Sequence, residues 1–287
     1  MNYDMVTRFA PSPTGRLHLG HAFSAIRAHD LARAGGGLFL LRIEDIDPGR
    51  TREAFVAGIA DDLRWLGLAW DGAIMRQSAR LDVYAEALAR LRGDGLAYPC
   101  FCTRAEIAAS ASAPHGPAGA VYPGTCRALS PETRAARMAA EAHCWRIDMA
   151  RAVARAGPLS WQDETAGTVA AIPEHQGDVV LARKDAPVSY HLAVTIDDAA
   201  QGITDVVRGT DLFEATHIHR LLQALLGLPT PRYHHHPLLM DEAGRRLAKR
   251  DGARSLADLR AEGADPATIV AALRDGRMPV GITAASA

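Results

Sequence analysis

The 287-residue sequence predicts an α/β fold: a parallel sheet with helices on both faces. Two observations carry that expectation. Short apolar runs alternate with stretches whose apolar residues recur at helical spacing, and Gly- or Pro-rich breaks separate them. Strand–helix alternation of this kind buries a parallel sheet between two helical layers. A third observation refines it. The alternation stops between residues 94 and 175 and then resumes, as an insertion would make it do.

Each element follows in turn. Met5–Phe9 reads as the first strand. Pro11 and Pro13 forbid a helix there and hold Ala10 and Ser12 extended, and Gly15 allows a turn. A helix runs from near His18 to Ala34, where Gly35-Gly36-Gly37 stops it. Leu38–Ile43 is a second strand and Thr51–Leu66 a helix. Leu81, Tyr84, Leu88 and Leu91 define a third helix, ended by Gly93 and Gly95. After the insertion, strands are expected at Val179–Ala182 and His191–Ile196. A helix from Asp211 to Leu226 opens with Asp211 and Glu214 at capping-box spacing. The expected organisation is a Rossmann-type domain in two halves, 1–93 and 176–243, split by the 94–175 insertion and followed by a basic loop and short helical segment, 244–287.

Composition narrows the function classes. Hydrophobic residues make up 48%, enough for a core, and no apolar run is long enough for a membrane span. Met1-Asn2-Tyr3-Asp4 lacks a signal-peptide pattern, and four unevenly spaced cysteines do not form a disulfide framework, so a cytoplasmic protein is expected. The net charge of −1 does not exclude a local basic surface. Arg245, Arg246, Lys249, Arg250, Arg254 and Arg260 fall within sixteen residues, either a solvated face or a phosphate-contacting strip. Of 32 cationic residues only Lys184 and Lys249 are lysine. A lysine kept in such a loop suits a migrating phosphate charge, which a compact ammonium follows better than a planar guanidinium.

The chemistry concentrates at two distant segments. His18 and His21 share a face of the first helical turn, where free N–H groups and the positive dipole end favour an anion. Gly20 between them lets a flat base approach the backbone. Lys249 approaches from the other side, so that a nucleoside triphosphate is held between the two segments.

These residues resemble a known family. His18-Leu19-Gly20-His21 is similar to the HIGH motif of class I aminoacyl-tRNA synthetases, and Arg246-Leu247-Ala248-Lys249-Arg250 to their KMSKS loop. Arg8-Phe9-Ala10-Pro11-Ser12-Pro13-Thr14-Gly15 resembles the glutamate branch. The likeness continues through Leu41–Asp47, Tyr190–Val194 and Gly202–Leu212, covering roughly residues 5–260. About 37 residues follow Arg250, too few for an anticodon-binding domain of ordinary size. Within the branch this resembles the queuosine-directed members. That resemblance implies a ligase that activates L-glutamate with ATP, without tRNA, and transfers it to queuosine in the anticodon of tRNA(Asp). Two other readings are a minimal enzyme charging a tRNA 3′ end and a non-catalytic nucleotide- or tRNA-binding paralogue. A monomer without membrane contact is expected.

The resemblance also implies site residues. Arg8 takes the glutamate side-chain carboxylate and Arg208 the other, as guanidinium forks suit carboxylates. Glu44 holds the ammonium, Tyr190 gives a hydroxyl and a wall, and Phe9, Ala10, Pro11 and Ser12 complete the pocket. Thr14, Gly15, His18, Gly20, His21 and Lys249 bind ATP, which enters with Mg²⁺, and His18, His21 and Lys249 are catalytic. No side chain stands out as a base for the transfer step. Ala248 stands where the motif usually has serine, removing one hydroxyl contact to phosphate.

The insertion holds Cys100-Phe101-Cys102 and Cys126, three thiolates able to share one ion. The family pattern implies a structural zinc, one per chain, with Tyr122 as the fourth ligand; His115 is the conventional competitor. Cys144 reads as a buried strand residue.

Overall fold

The computed structural model describes residues 4–103, 105–107, 121–239 and 254–277. Two groups of strands face each other edge to edge. β1 (Val6–Phe9) pairs in parallel with β2 (Leu38–Ile43), and β2 with β3 (Met75–Arg76). β9 (Asp205–Gly209) and β10 (Arg232–His236) pair in parallel, Arg208 opposite His235. β10 also takes β6 (Ser160–Asp163) in parallel, and β7 (Gly167–Ala170) closes that edge as a hairpin. Thr204 joins the groups: its N–H donates to Val6 O at 3.0 Å, and its hydroxyl accepts the Val6 N–H at 2.8 Å. The spatial order is therefore β3-β2-β1 beside β9-β10-β6-β7. The first strand lies in the middle: β2 and β3 extend outward on one side, while on the other the outer pair β6 and β7 precedes the inner β9 and β10 in the chain. That leaves a crevice between β1 and β9 at their carboxyl ends, where α/β folds bind ligands.

Buried strands explain the apolar runs, since both faces are covered. On one face α1 (Leu19–Ala34) and α2 (Glu53–Trp65) pack with α8 (Leu256–Ala261) and α9 (Pro266–Arg274) in a core holding Phe23, Ile26, Leu41, Leu63, Leu259 and Leu273. On the other, α3 (Leu81–Gly93), α5 (Met149–Ala156), α6 (Tyr190–Ala200) and α7 (Ala215–Leu226) enclose Tyr84, Leu91, Leu192, Ile218 and Leu222. The amphipathic α4 (Pro131–Ala140) has no fully buried residue.

Three expectations are corrected. His191–Ile196 lies in a helix, α6, not a strand. The β-branched Val194, Thr195 and Ile196 imitate strand composition, but Ser189 caps the helix by accepting the Leu192 N–H, and burial on several sides selects the helix. Val180–Ala182 (β8) is a strand, yet it joins β4 (Ala97–Cys100) and β5 (Cys144–Ile147) in a separate antiparallel sheet. The Asp211–Glu214 capping box does not form. Thr210–Leu212 is a 3-10 turn, and α7 starts after Glu214, whose side chain makes no cap bond. Among the described residues no helix is long and apolar enough to cross a membrane.

Candidate functional site

A cavity of about 450 Å³ opens at the β1–β9 crevice. Arg8, Phe9, Ala10, Pro11 and Ser12 line one wall. Tyr190, Arg208 and Glu44 line it too, so every residue expected to hold glutamate meets in one place. Thr14, His18, Gly20 and His21 border the same space, while Gly15 does not. Lys249, with Arg245, Arg246, Ala248 and Arg250, lies outside the described residues, as do His115 and the chain after residue 277. The chain on either side of 240–253 is at the cavity: Leu239 lines it, and Ser255 bridges to His18.

The helix start is built by its own histidines. His18 is the N-cap of α1, and its Nδ1 accepts the Gly20 N–H at 3.1 Å. His21 Nδ1 accepts the His18 N–H at 3.2 Å, a reciprocal capping box in imidazoles. With both Nδ1 atoms accepting, the ring protons sit on Nε2, giving two N–H donors 3.9 Å apart by ring centroid. Gly20 has a local reason. A Cβ there would stand 2.9 Å from His18 Cε1, so glycine seats the His18 ring itself.

One wall is ionic. Arg8 donates from Nε to Asp198 Oδ1 at 2.9 Å and from Nη2 to Oδ2 at 3.3 Å. Arg42 donates to the same Oδ1 at 2.8 Å and to Glu44 at 3.4 Å, and its side chain is fully enclosed. Two guanidinium groups and two carboxylates balance. Burial alone would raise the Asp198 carboxyl, but Arg8 and Arg42 overcome it and hold it below the usual range. At Glu44 burial prevails over the same arginines and pushes the carboxyl up.

The other wall is neutral. Arg208 donates from Nε to His235 at 3.2 Å, from Nη1 to His219 Nδ1 at 3.2 Å and to Tyr190 Oη at 3.4 Å, and from Nη2 to Thr216 at 2.6 Å. No carboxylate among the described residues forms an ion pair with it. Four of its five N–H groups are used, leaving one on Nη2. Because Tyr190 accepts from Arg208, its own O–H can turn into the cavity. Burial lowers the His191 and His235 rings to about 4, Arg208 adding to it, and takes His219 well below its ordinary value. All three are neutral at pH 7.

Sequence reasoning missed Arg42, Asp198, His219, His235 and His236. His234-His235-His236 was a usable signal: three histidines on one strand must alternate faces, and His236 turns to the cavity, where Nε2 meets Ser24 at 2.7 Å.

The cysteine trio forms a second centre. The Cys100, Cys102 and Cys126 sulfurs all lie within 4.8 Å of one another and could hold a metal ion. The Tyr122 hydroxyl is 3.7 Å from Cys102 Sγ, and it accepts the Cys126 N–H at 2.8 Å. Cys144, buried in β5, stands opposite Cys100 in the ladder and outside the trio. A second cavity, about 910 Å³, runs between this centre and the main body, bordered by Arg146, Arg183, Lys184 and His191. It meets the first at Tyr190.

Fold and site define a class I tRNA-synthetase catalytic domain. Residues 4–285 match the family described as tRNA synthetases class I (E and Q), catalytic domain. A glutamyl-Q tRNA(Asp) synthetase of Rhodobacter capsulatus is 54% identical over 275 residues, 92% of this chain and 98% of that protein. One from Symbiobacterium thermophilum is 45% identical over 92% of this chain and 83% of its own. The chain belongs to this class I family, on its glutamyl-Q tRNA(Asp) synthetase branch. Among solved structures, a glutamate tRNA ligase from Elizabethkingia meningosepticum, crystallised in complex with its amino acid, superposes with a TM-score of 0.77 at 27% identity, over 94% of this chain. The chain spans 60% of that ligase's length.

Proposed function

We propose that this protein activates L-glutamate with ATP in the absence of tRNA and transfers it to queuosine in the anticodon of tRNA(Asp). The observation that carries the glutamate reading is Arg208: a buried guanidinium whose direct partners among the described residues are all neutral, facing a cavity beside an H-x-x-H helix start. A buried guanidinium with no carboxylate in direct contact among the described residues and one N–H to spare suits an anionic ligand. The acceptor reading rests on likeness to glutamyl-Q tRNA(Asp) synthetases over nearly the whole chain.

In this reading the spare Arg208 N–H and the Tyr190 O–H receive one substrate carboxylate, and the unused Nη1 of Arg8 the other. Glu44 receives the ammonium, whose charge opposes the effect of burial on its carboxyl. Phe9, Ala10, Pro11 and Ser12 fix the backbone of the pocket. The α-carboxylate attacks the ATP α-phosphorus, pyrophosphate leaves, and glutamyl-adenylate forms. Thr14 and Gly20 border the nucleotide site, and Gly15 acts from the bend next to Thr14, set back from the cavity. His18 and His21 donate from Nε2 to the phosphoryl oxygens, and Lys249 neutralises them from the facing loop. Mg²⁺ arrives with ATP and supplies further positive charge. A hydroxyl of the acceptor then attacks the adenylate carbonyl carbon, giving up its proton as the ester bond forms, and the acyl–phosphate bond breaks to release AMP.

Cys100, Cys102, Cys126 and Tyr122 would hold a structural zinc, a donor set of three sulfurs and one oxygen suited to tetrahedral closure. It would pin a small sheet whose core has six buried residues, Cys100, Tyr122 and Cys126 among them. The enzyme would work in the cytoplasm.

The deciding experiment is ATP–pyrophosphate exchange with glutamate and no tRNA. Robust exchange is expected, and replacing Lys249 with alanine should lower it on the order of 10²- to 10³-fold. Exchange that appears only with tRNA(Glu) would assign the chain to 3′-end charging. Wild-type exchange in the Lys249→Ala protein would remove that lysine from the chemistry.

A further inference from the structure

Three neighbouring strands line up one residue each behind the pocket. Arg208 on β9, His235 on β10 and Asp163 on β6 form a continuous chain across the sheet. Arg208 Nε donates to His235 Nε2 at 3.2 Å, and His235 Nδ1 is 2.7 Å from Asp163 Oδ2. A guanidinium always carries its protons, so His235 Nε2 must accept. The ring proton is therefore on Nδ1 and is donated to Asp163. Asp163 is itself fixed, since its Oδ1 accepts the N–H groups of Thr165 at 3.0 Å and Ala166 at 2.9 Å. The side chains of His235 and Asp163 are 2% and 1% exposed, and neither lines the cavity.

A carboxylate touching Arg208 directly would compete with a substrate carboxylate for the same fork. Set one imidazole away, it supplies the counter-charge and leaves the outward N–H available. We propose that Asp163 and His235 are positioning residues that fix the tautomer behind Arg208 and aim its guanidinium at a carboxylate of the amino-acid substrate. This rests on the reading of Arg208 as a glutamate ligand.

The backbone bonds to Oδ1 make the test clean. In Asp163→Asn, Oδ1 remains the oxygen that Thr165 and Ala166 need, so the new amide NH2 faces His235 Nδ1. The ring must then accept there, which moves its proton to Nε2, against the Arg208 N–H. Shape is preserved and only the tautomer changes. In His235→Gln, by contrast, the amide oxygen can accept from Arg208 while its NH2 donates to Asp163.

Glutamate-dependent ATP–pyrophosphate exchange without tRNA is measured for Asp163→Asn, His235→Gln and Arg208→Gln, with thermal melts. In Asp163→Asn the KM for glutamate should rise roughly ten- to a hundredfold, the range seen when a group that orients a metal-ligating side chain is removed. The KM for ATP and the melting temperature should stay near wild type, and His235→Gln should bind glutamate nearly normally. Wild-type glutamate KM in Asp163→Asn, with Arg208→Gln impaired, overturns the proposal and keeps the glutamate reading. A rise in both KM values with a fall in melting temperature also overturns it, as a structural role would do that. An unchanged glutamate KM in Arg208→Gln removes the glutamate reading and the proposal with it.

Discussion

Arg8 and Arg208 enter one cavity from neighbouring strands and are held in opposite ways. Arg8 is gripped by Asp198, which also holds Arg42, so that wall is an ion-paired block with its charges balanced internally. Arg208 is held by two imidazoles and two hydroxyls. The first arrangement is rigid and expensive to disrupt. The second keeps its carboxylate, Asp163, one imidazole away from the guanidinium. Both walls line the cavity, but only the first pairs its guanidinium groups directly with carboxylates, so each wall can be attacked separately.

The largest effect is expected on the ion-paired wall. Replacing Asp198 with alanine leaves Arg8 and Arg42 buried without their shared carboxylate and should cost about 3–5 kcal/mol. Urea unfolding measures it; an unchanged midpoint would show that solvent, not Asp198, balances those arginines. The neutral wall is attacked by acid. His191, His219 and His235 all have folded pKa values below the unfolded value near 6.5, so the folded chain binds fewer protons than the unfolded one in that interval. Their contribution is intact above about pH 6.5 and is lost as pH falls toward 4. Each ring displaced from 6.5 to about 4 should take roughly 3 kcal/mol from stability over that range. A flat profile would mean that these rings are not kept neutral. The smallest effect is expected from Tyr190→Phe. Losing one hydroxyl between Arg208 and the ligand should raise the KM for glutamate about fivefold, the equivalent of about 1 kcal/mol, without shifting the melting temperature. If the melt moves instead, the hydroxyl serves the fold.

The same contrast marks what could be read from the sequence. β1, α1, β2 and the third helix announce themselves through local periodicity and breakers. Arg8, Glu44, Tyr190 and Arg208 were legible because each sits in a recognisable local string. Asp198 was not, because its partners are 190 and 156 residues away and nothing near it signals an ion pair. Asp163 and His235 were hidden the same way, on strands that become neighbours only in the assembled sheet. The segment from Tyr190 to Ala200 misled for the opposite reason. Its local composition favours a strand, while its cap and its burial favour a helix. The small sheet around the cysteines was missed because its third strand, β8, is contributed from beyond the hairpin that pairs with the main sheet.

The span of the Asp198 bridge has a kinetic meaning. Closing a loop costs free energy that grows with the logarithm of its length, about 0.6 kcal/mol for each doubling, and the pocket's wall requires contacts from residue 8 to residue 198. Contacts between partners so far apart in sequence are slow to form, so this one should come after much of the intervening chain has condensed. Competence to bind at this pocket is therefore acquired late on the folding route. Burst-phase refolding with ligand present should find no occupied site until the two halves of the sheet have docked.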